Sequence, residues 1–137
     1  MGKAIGGDIT EITANHPTLG SAVFYCKAGE NSVFDIGGVS TEEDAQGVDG
    51  SGNPIYTLTR KRWNVEQTVA WDMNDLKTLQ LLQSYQESVE ETDWTFTHIN
   101  GSVFSGTGKP VGDLVGDGKA ATIALKLQGG KKLVQIA

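Results

Sequence analysis

The sequence predicts a mainly β domain, a two-sheet β-sandwich or half-barrel with one α-helix against its flank. Three observations predict it. About seven short apolar runs alternate with polar residues at the period of two that half-buried strands require. Turn residues punctuate them, and 18 of the 137 residues are glycine, well above the average usage of about 7%. One segment alone, over about residues 73–90, changes to helical spacing. The length suits a single domain of about 100–150 residues. The glycines are spread between apolar patches with no linker-like seam, so residues 1–137 read as one unit.

Taken in order, residues 1–20 are polar, contain glycine and break at His16-Pro17; they read as an N-terminal arm. Ser21 to Lys27 (SAVFYCK) is a strand, closed by the turn-forming Ala28-Gly29-Glu30-Asn31, with Ser32 to Ile36 (SVFDI) as its hairpin partner. Residues 37–54 form a long acidic stretch of turn residues, read as a loop of functional length. Ile55 to Asp72 is one long strand or two collinear ones. Trp63, Val65, Val69 and Trp71 share odd parity with Gln67, whereas Tyr56 and Leu58 are even. The phase therefore flips around Arg60-Lys61-Arg62, where a bulge or bend would restore a common core side.

The helix follows from Met73, Leu76, Leu79 and Leu82 at three-residue spacing, with Leu81 and Tyr85 beside them. Asp72 or Asn74 can cap its start and Asp75 complements the dipole of its first turn. Strand runs then cover Thr92 to Ile99, Gly101 to Val111, Ala120 to Gln128 and Lys132 to Ile136. Asn100-Gly101 is a hairpin signal, and Gly116-Asp117-Gly118 marks a second turn. Ala121, Ile123, Leu125 and Leu127 alternate with polar or small residues, the mark of a strand with one buried face.

Composition excludes several classes. Eleven basic against seventeen acidic residues give a net charge of −6, the wrong sign for ordinary nucleic-acid binding through phosphates. No apolar run approaches the roughly 18 residues of a membrane helix, and the first residues lack a signal-peptide core. A soluble chain, not exported by a cleaved signal, is the expectation. Cys26 is the single cysteine, which rules out an intrachain disulfide and suits a reducing cytoplasm.

Catalytic and ligand motifs fail one by one. Gly106-Thr107-Gly108-Lys109-Pro110 imitates a phosphate loop, but its leading glycine falls at Val103 and Pro110 replaces the magnesium-binding hydroxyl. Asp117-Gly118-Lys119 is followed by Ala120 and fails likewise. Asp49, Ser51 and Asn53 occupy calcium-loop positions, with Pro54 at the required glycine and Arg60 at the bidentate glutamate. His16 and His98 have no partner at metal-site spacing. His98 alternates with Trp94 and Phe96 and reads as a structural histidine. A Ser-His-Asp set is decided by geometry, so spacing leaves it open, but no Gly-x-Ser-x-Gly elbow occurs. Cys26 sits in an apolar strand, where an inert thiol is the expectation. Neither an enzyme nor a cofactor or metal site is predicted. Arg60-Lys61-Arg62 beside Trp63 could serve a single strand of nucleic acid. Charge pairing with Glu42, Glu43, Asp44 or Asp49 is the plainer reading, and becomes an assembly contact if it runs between subunits.

Val103-Phe104-Ser105-Gly106-Thr107-Gly108, Val111-Gly112-Asp113-Leu114, Gly116-Asp117-Gly118-Lys119 and Thr122 to Gly129 (TIALKLQG) resemble the closing strands of bacteriophage tail tube proteins. The order of arm, hairpin, acidic loop, long strand, helix and paired strands is similar too. The short chain, without an appended decoration domain, looks more like the tube of a contractile tail. This resemblance implies stacked hexameric rings whose inner sheets join into a barrel around a DNA conduit, with no cofactor. It implies itself as first partner, then sheath, tape-measure, baseplate and tail terminator proteins, with double-stranded DNA passing through unbound. It implies a place in the virion tail after synthesis in the host bacterial cytoplasm.

Specific residues acquire expected roles under that resemblance. Six copies at −6 each give an acidic tube that repels DNA phosphates, with Asn64, Glu66, Thr68 and Ala70 or Thr95 and Thr97 facing the bore. Glu87, Glu90 and Glu91 face a basic sheath through screened contacts. Glu42, Glu43, Asp44 and Asp49 meet Arg60, Lys61 and Arg62 of a neighbouring copy. Rival readings are the tube of a type VI secretion or other contractile injection system, and a monomeric β-sandwich binding module using the 37–54 loop.

Overall fold

The computed structural model describes residues 8–27, 32–71 and 77–137, with the backbone alone for 42–46. Its elements are β1 (Ile9–His16), β2 (Gly20–Tyr25), β3 (Val33–Asp35), β4 (Gly38–Val48), β5 (Pro54–Lys61) and β6 (Trp63–Ala70). There follow α1 (Lys77–Glu87), β7 (Thr92–His98), β8 (Val103–Pro110), β9 (Val115–Asp117), β10 (Thr122–Gly129) and β11 (Val134–Gln135). The fold is mainly β with one flanking helix, as the alternation predicts. A large antiparallel sheet runs β2-β1-β7-β8-β10-β6-β3, with β11 on β8 and β9 on β10; β4 and β5 form a separate two-stranded sheet.

The large sheet folds over at β8. Residues 103–108 of that strand pair with β7, while Lys109 and Pro110 pair with β10. The two limbs face each other across the core. One supplies Ile12, Ala14, Phe24, Trp94 and Phe96; the other supplies Trp63, Val65, Val69, Ile123, Leu125 and Leu127, all almost fully buried. Trp63 meets Phe96 edge-on at 5.7 Å. At the far side β2 and β6 touch through the single bridge Cys26↔Val69, so the barrel does not close.

Glycine makes the fold-over sterically feasible. The Trp63 indole lies over Gly106, Gly108 and Gly129; at Gly108 and Gly129 a Cβ would overlap it and the crossing backbone, and at Gly106 the Leu133 side chain. Its Nε1 donates to the Thr107 carbonyl at 3.3 Å. The Gly-Thr-Gly stretch that imitates a phosphate loop is this strand crossing.

Helix α1 covers one end of the core. Leu82 and Tyr85 are fully buried, and Tyr85 lies 5.8 Å from the rings of both His16 and Trp94. Gln86 Nε2 pins the helix to the Gly112 carbonyl at 2.7 Å. The expected helix start, with Asp72, Met73, Asn74, Asp75 and Leu76, lies outside the described residues. So do the turn at 28–31 and residues 1–7.

Three local expectations are corrected. Residues 9–16 of the expected N-terminal arm are β1, an interior strand between β2 and β7. The segment expected to pair with β2 is β3, which instead pairs with β6, because β2 takes the nearer partner β1. The expected acidic loop is largely strand: β4 pairs with β5 from Gly38↔Lys61 to Glu43↔Tyr56.

Candidate functional site

The β4–β5 ribbon is the most unusual surface. Its register continues that of the body: Asp35 stands opposite Asn64, then Gly38 opposite Lys61, with no slip between them. The phase flip read around residues 60–62 is therefore real, but no bulge corrects it. Tyr56 and Leu58 share a face with Val39 and Thr41, while Thr57 and Thr59 share the other with Ser40. Along β6 the odd residues face the core. The ribbon's apolar face thus continues the outward phase, and among the described residues none covers it. Val39, Tyr56 and Leu58 are 55%, 56% and 69% exposed.

The root of the ribbon is built, not frayed. Gly37 and Gly38 take φ of 75° and 97°, and at Gly37 a Cβ would sit 2.7 Å from Trp63 Cα. Asp35 accepts from Lys61 Nζ at 2.8 Å and from the Gly37 amide at 2.9 Å. The Lys61 contact, then the amide, holds its carboxyl below the ordinary carboxylate range. Lys61 is thus engaged within its own chain. At the tip Asp49 accepts the Asn53 and Ser51 amides at 3.1 and 2.8 Å, which lowers its pKa likewise. Those bonds close a turn, which accounts for the calcium-loop likeness. The side chains of Glu42, Glu43 and Asp44 are outside the described set; their backbones place them in the middle of β4.

The residues expected along a bore fall on two surfaces. Asn64, Glu66, Thr68 and Ala70 lie on the outer face of the β10–β6 limb, where Glu66 pairs with Lys126 at 3.3 Å. Thr95 and Thr97 lie on the outer face of the β2-β1-β7-β8 limb, beside Thr13 and Glu11 in register. With the core between the limbs these faces point in opposite directions, so a single bore takes only one of the sets. The second face also carries Asp93, which accepts from Thr107 Oγ1 at 2.8 Å. Across Glu11 to Asn15, Asp93 to Thr97 and Ser105 to Thr107 it holds no Lys or Arg.

The three acids at and beyond the helix end also separate. Glu87 and Glu90 border a cleft with His16, Leu19 and Ser84, and Glu90 accepts from Thr18 Oγ1 at 3.2 Å. Glu91 borders a different cleft with Arg62 and Lys109.

Reactive groups are bound into structure. His16 Nδ1 accepts the Thr18 and Leu19 amides at 3.0 and 2.9 Å, which puts the ring proton on Nε2, facing Ser88 Oγ at 2.8 Å. Ser88 Oγ also accepts the Glu90 amide at 3.1 Å. Ser88 therefore receives a hydrogen bond where a nucleophile must give one. His98 Nδ1 accepts the Asn100 amide at 3.2 Å in the hairpin turn. Asp117 accepts the Lys119 and Ala120 amides and closes another turn. Among the described residues no His, Cys, Asp and Glu group is placed to hold a metal, and no helix is long and apolar enough to cross a membrane.

Burial, then the nearby Asp8 charge, pushes the Cys26 thiol up to about 11. The folded state thus favours the neutral thiol. Its contribution to stability is full below the unfolded value of 9.0 and is lost as pH rises from there through about 11. Iodoacetamide at pH 7.5 is expected to label Cys26 at least tenfold more slowly in the native chain than in guanidinium, by mass spectrometry. Equal rates would show an accessible thiolate.

No family model and no curated protein matches this chain.

Proposed function

We propose that this protein is a structural subunit that assembles into stacked hexameric rings, the inner tail tube through which a bacteriophage ejects its DNA. The observation that carries the reading is the ribbon: a projecting two-stranded arm with an apolar face that the described residues of its own body leave bare. An isolated hairpin of two strands is marginal in water, and an exposed apolar edge invites pairing with another chain. Such an arm makes physical sense when a neighbouring copy buries it. The β2-β1-β7-β8 outer face, rich in Thr and Ser and free of cations over its middle, suits a bore that DNA passes without adhering. Sheath, tape-measure, baseplate and terminator proteins are the partners this role implies, in a contractile tail. The resemblance of the closing strands supports the same role, whereas the fold alone would equally serve other tubes.

Negative-stain microscopy of the purified chain at rising concentration, with light-scattering mass alongside, tests it. The expected result is rings of six 14.6 kDa subunits, or tubes with a central bore. A uniform 14.6 kDa particle at every concentration overturns the reading and favours a monomeric binding module.

A further inference from the structure

At the root of the ribbon, positive charge gathers from three distant parts of the chain. Lys132 bridges to Gly37, and its side chain lies along Gly38, the residue paired with Lys61. Arg62 and Lys109 border one cleft of about 370 Å³, together with Gln128, Gly130 and Glu91. Lys131 is next in sequence to Gly130. With Arg60, paired with Val39 beside Gly38, six of the eleven Lys and Arg residues of the whole chain belong to the segments that meet here. Among them Lys61 pairs with Asp35. Among the described residues lining the cleft the one acid is Glu91, so the collar is locally basic in a protein of net −6.

The ribbon is therefore electrically polar along its length. Its root is basic, while Glu42, Glu43 and Asp44 lie along its middle and Asp49 at its tip. From Gly38 to Val48 the strand extends about 33 Å at 3.3 Å per residue, against a radius of gyration near 14 Å for a domain of this size. The backbones of Glu42 to Asp44 stand about 13–20 Å along the strand from Gly38, beyond the Debye length of about 8 Å, and Asp49 stands farther out still, where the next molecule is within reach.

We propose that the collar of Arg60, Arg62, Lys109, Lys131 and Lys132 is the docking site for the acidic middle and tip of a second copy's ribbon. This rests on the assembly reading above and deepens it by naming the acceptor. Root and tip are different surfaces, so the contact is heterologous and propagates from copy to copy. Partly exposed charge pairs are weak singly, yet they set register and exclude wrong partners when repeated at every joint.

Charge exchange between two variants tests the proposal. One chain carries Lys109→Glu, Lys131→Glu and Lys132→Glu; the other carries Glu42→Lys, Glu43→Lys and Asp44→Lys. Each alone is expected to raise the concentration needed for assembly by about tenfold or more. Mixed in equal amounts they should co-assemble near the wild-type threshold, because each ribbon then meets an opposite collar. Circular dichroism checks that both chains are folded. Wild-type assembly with no loss in either variant, or no rescue on mixing, overturns the collar and leaves the assembly reading standing. A wild-type chain that never assembles overturns both. Salt-sensitive binding of duplex DNA that disappears with collar reversal, while tubes persist, would reassign the collar to a polyanion and overturn the proposal.

Discussion

Replacing Val39, Tyr56 and Leu58 together by serine is expected to abolish ring and tube formation and to leave a folded monomer. These side chains form the apolar face of the ribbon and are more than half exposed, so their loss removes little from the subunit itself; exposed substitutions generally stay within about 0.5 kcal/mol. In an assembly the same face is buried. Covering three half-exposed apolar side chains contributes about 3 kcal/mol per docked ribbon, and losing it raises the assembly threshold on the order of a hundredfold. Sedimentation and microscopy read the assembly; circular dichroism and thermal melting read the fold. Deleting residues 41–52 should act alike, since the register from Gly38 to Ser40 keeps the root in place. Unchanged tubes in either variant would mean that the ribbon is ornamental. A joint loss of tubes and fold would mean that it belongs to the core.

The strands with clean alternation were the legible part of this chain. In β6 and β10, and in β7 as far as Phe96, every second residue is buried, so period-two reading places both the element and its core face. β1 escaped because its period breaks: a register shift between Ile9 and Glu11 puts its buried residues at Ile9, Ile12, Ala14 and His16. The buried His16 also reads as polar until its three hydrogen bonds are seen. Pairing was less legible than existence, since β3 crosses to β6 and nothing local to Ser32–Ile36 announces a partner thirty residues away. The acidic stretch looked like a loop because strand residues on a ribbon without a body beneath it need no alternation toward a core. For the candidate site, Arg60 and Arg62 were visible as a cluster. Lys109, Lys131 and Lys132 join it only through the fold-over at β8, and no spacing in the sequence encodes that.

The largest effect on stability is expected where the two limbs cross. At Gly108 an added Cβ would lie 2.7 Å from Trp63 Cζ2 and 2.8 Å from the Gln128 carbonyl carbon. At Gly129 it would lie 2.5 Å from Trp63 Nε1. One neighbour is a fully buried indole and the other is strand backbone, so neither can step aside without spreading the sheet. Overpacking of this kind costs about 1–3 kcal/mol, and more when backbone must move. For a domain of this size that lowers the melting temperature by roughly 10 °C or beyond. Gly108→Ala and Gly129→Ala should therefore melt early or fail to accumulate as soluble protein. Gly106→Ala meets the end of the flexible Leu133 side chain first and should be milder, with partial recovery in a Leu133→Ala background. Gly130→Ala, one residue on, meets nothing within 4 Å and should melt like the wild type. The ranking is what separates this account from a general intolerance of substitution in a glycine-rich segment. Equal destabilisation at 129 and 130 would show that chain flexibility, not room for Trp63, is what these glycines supply.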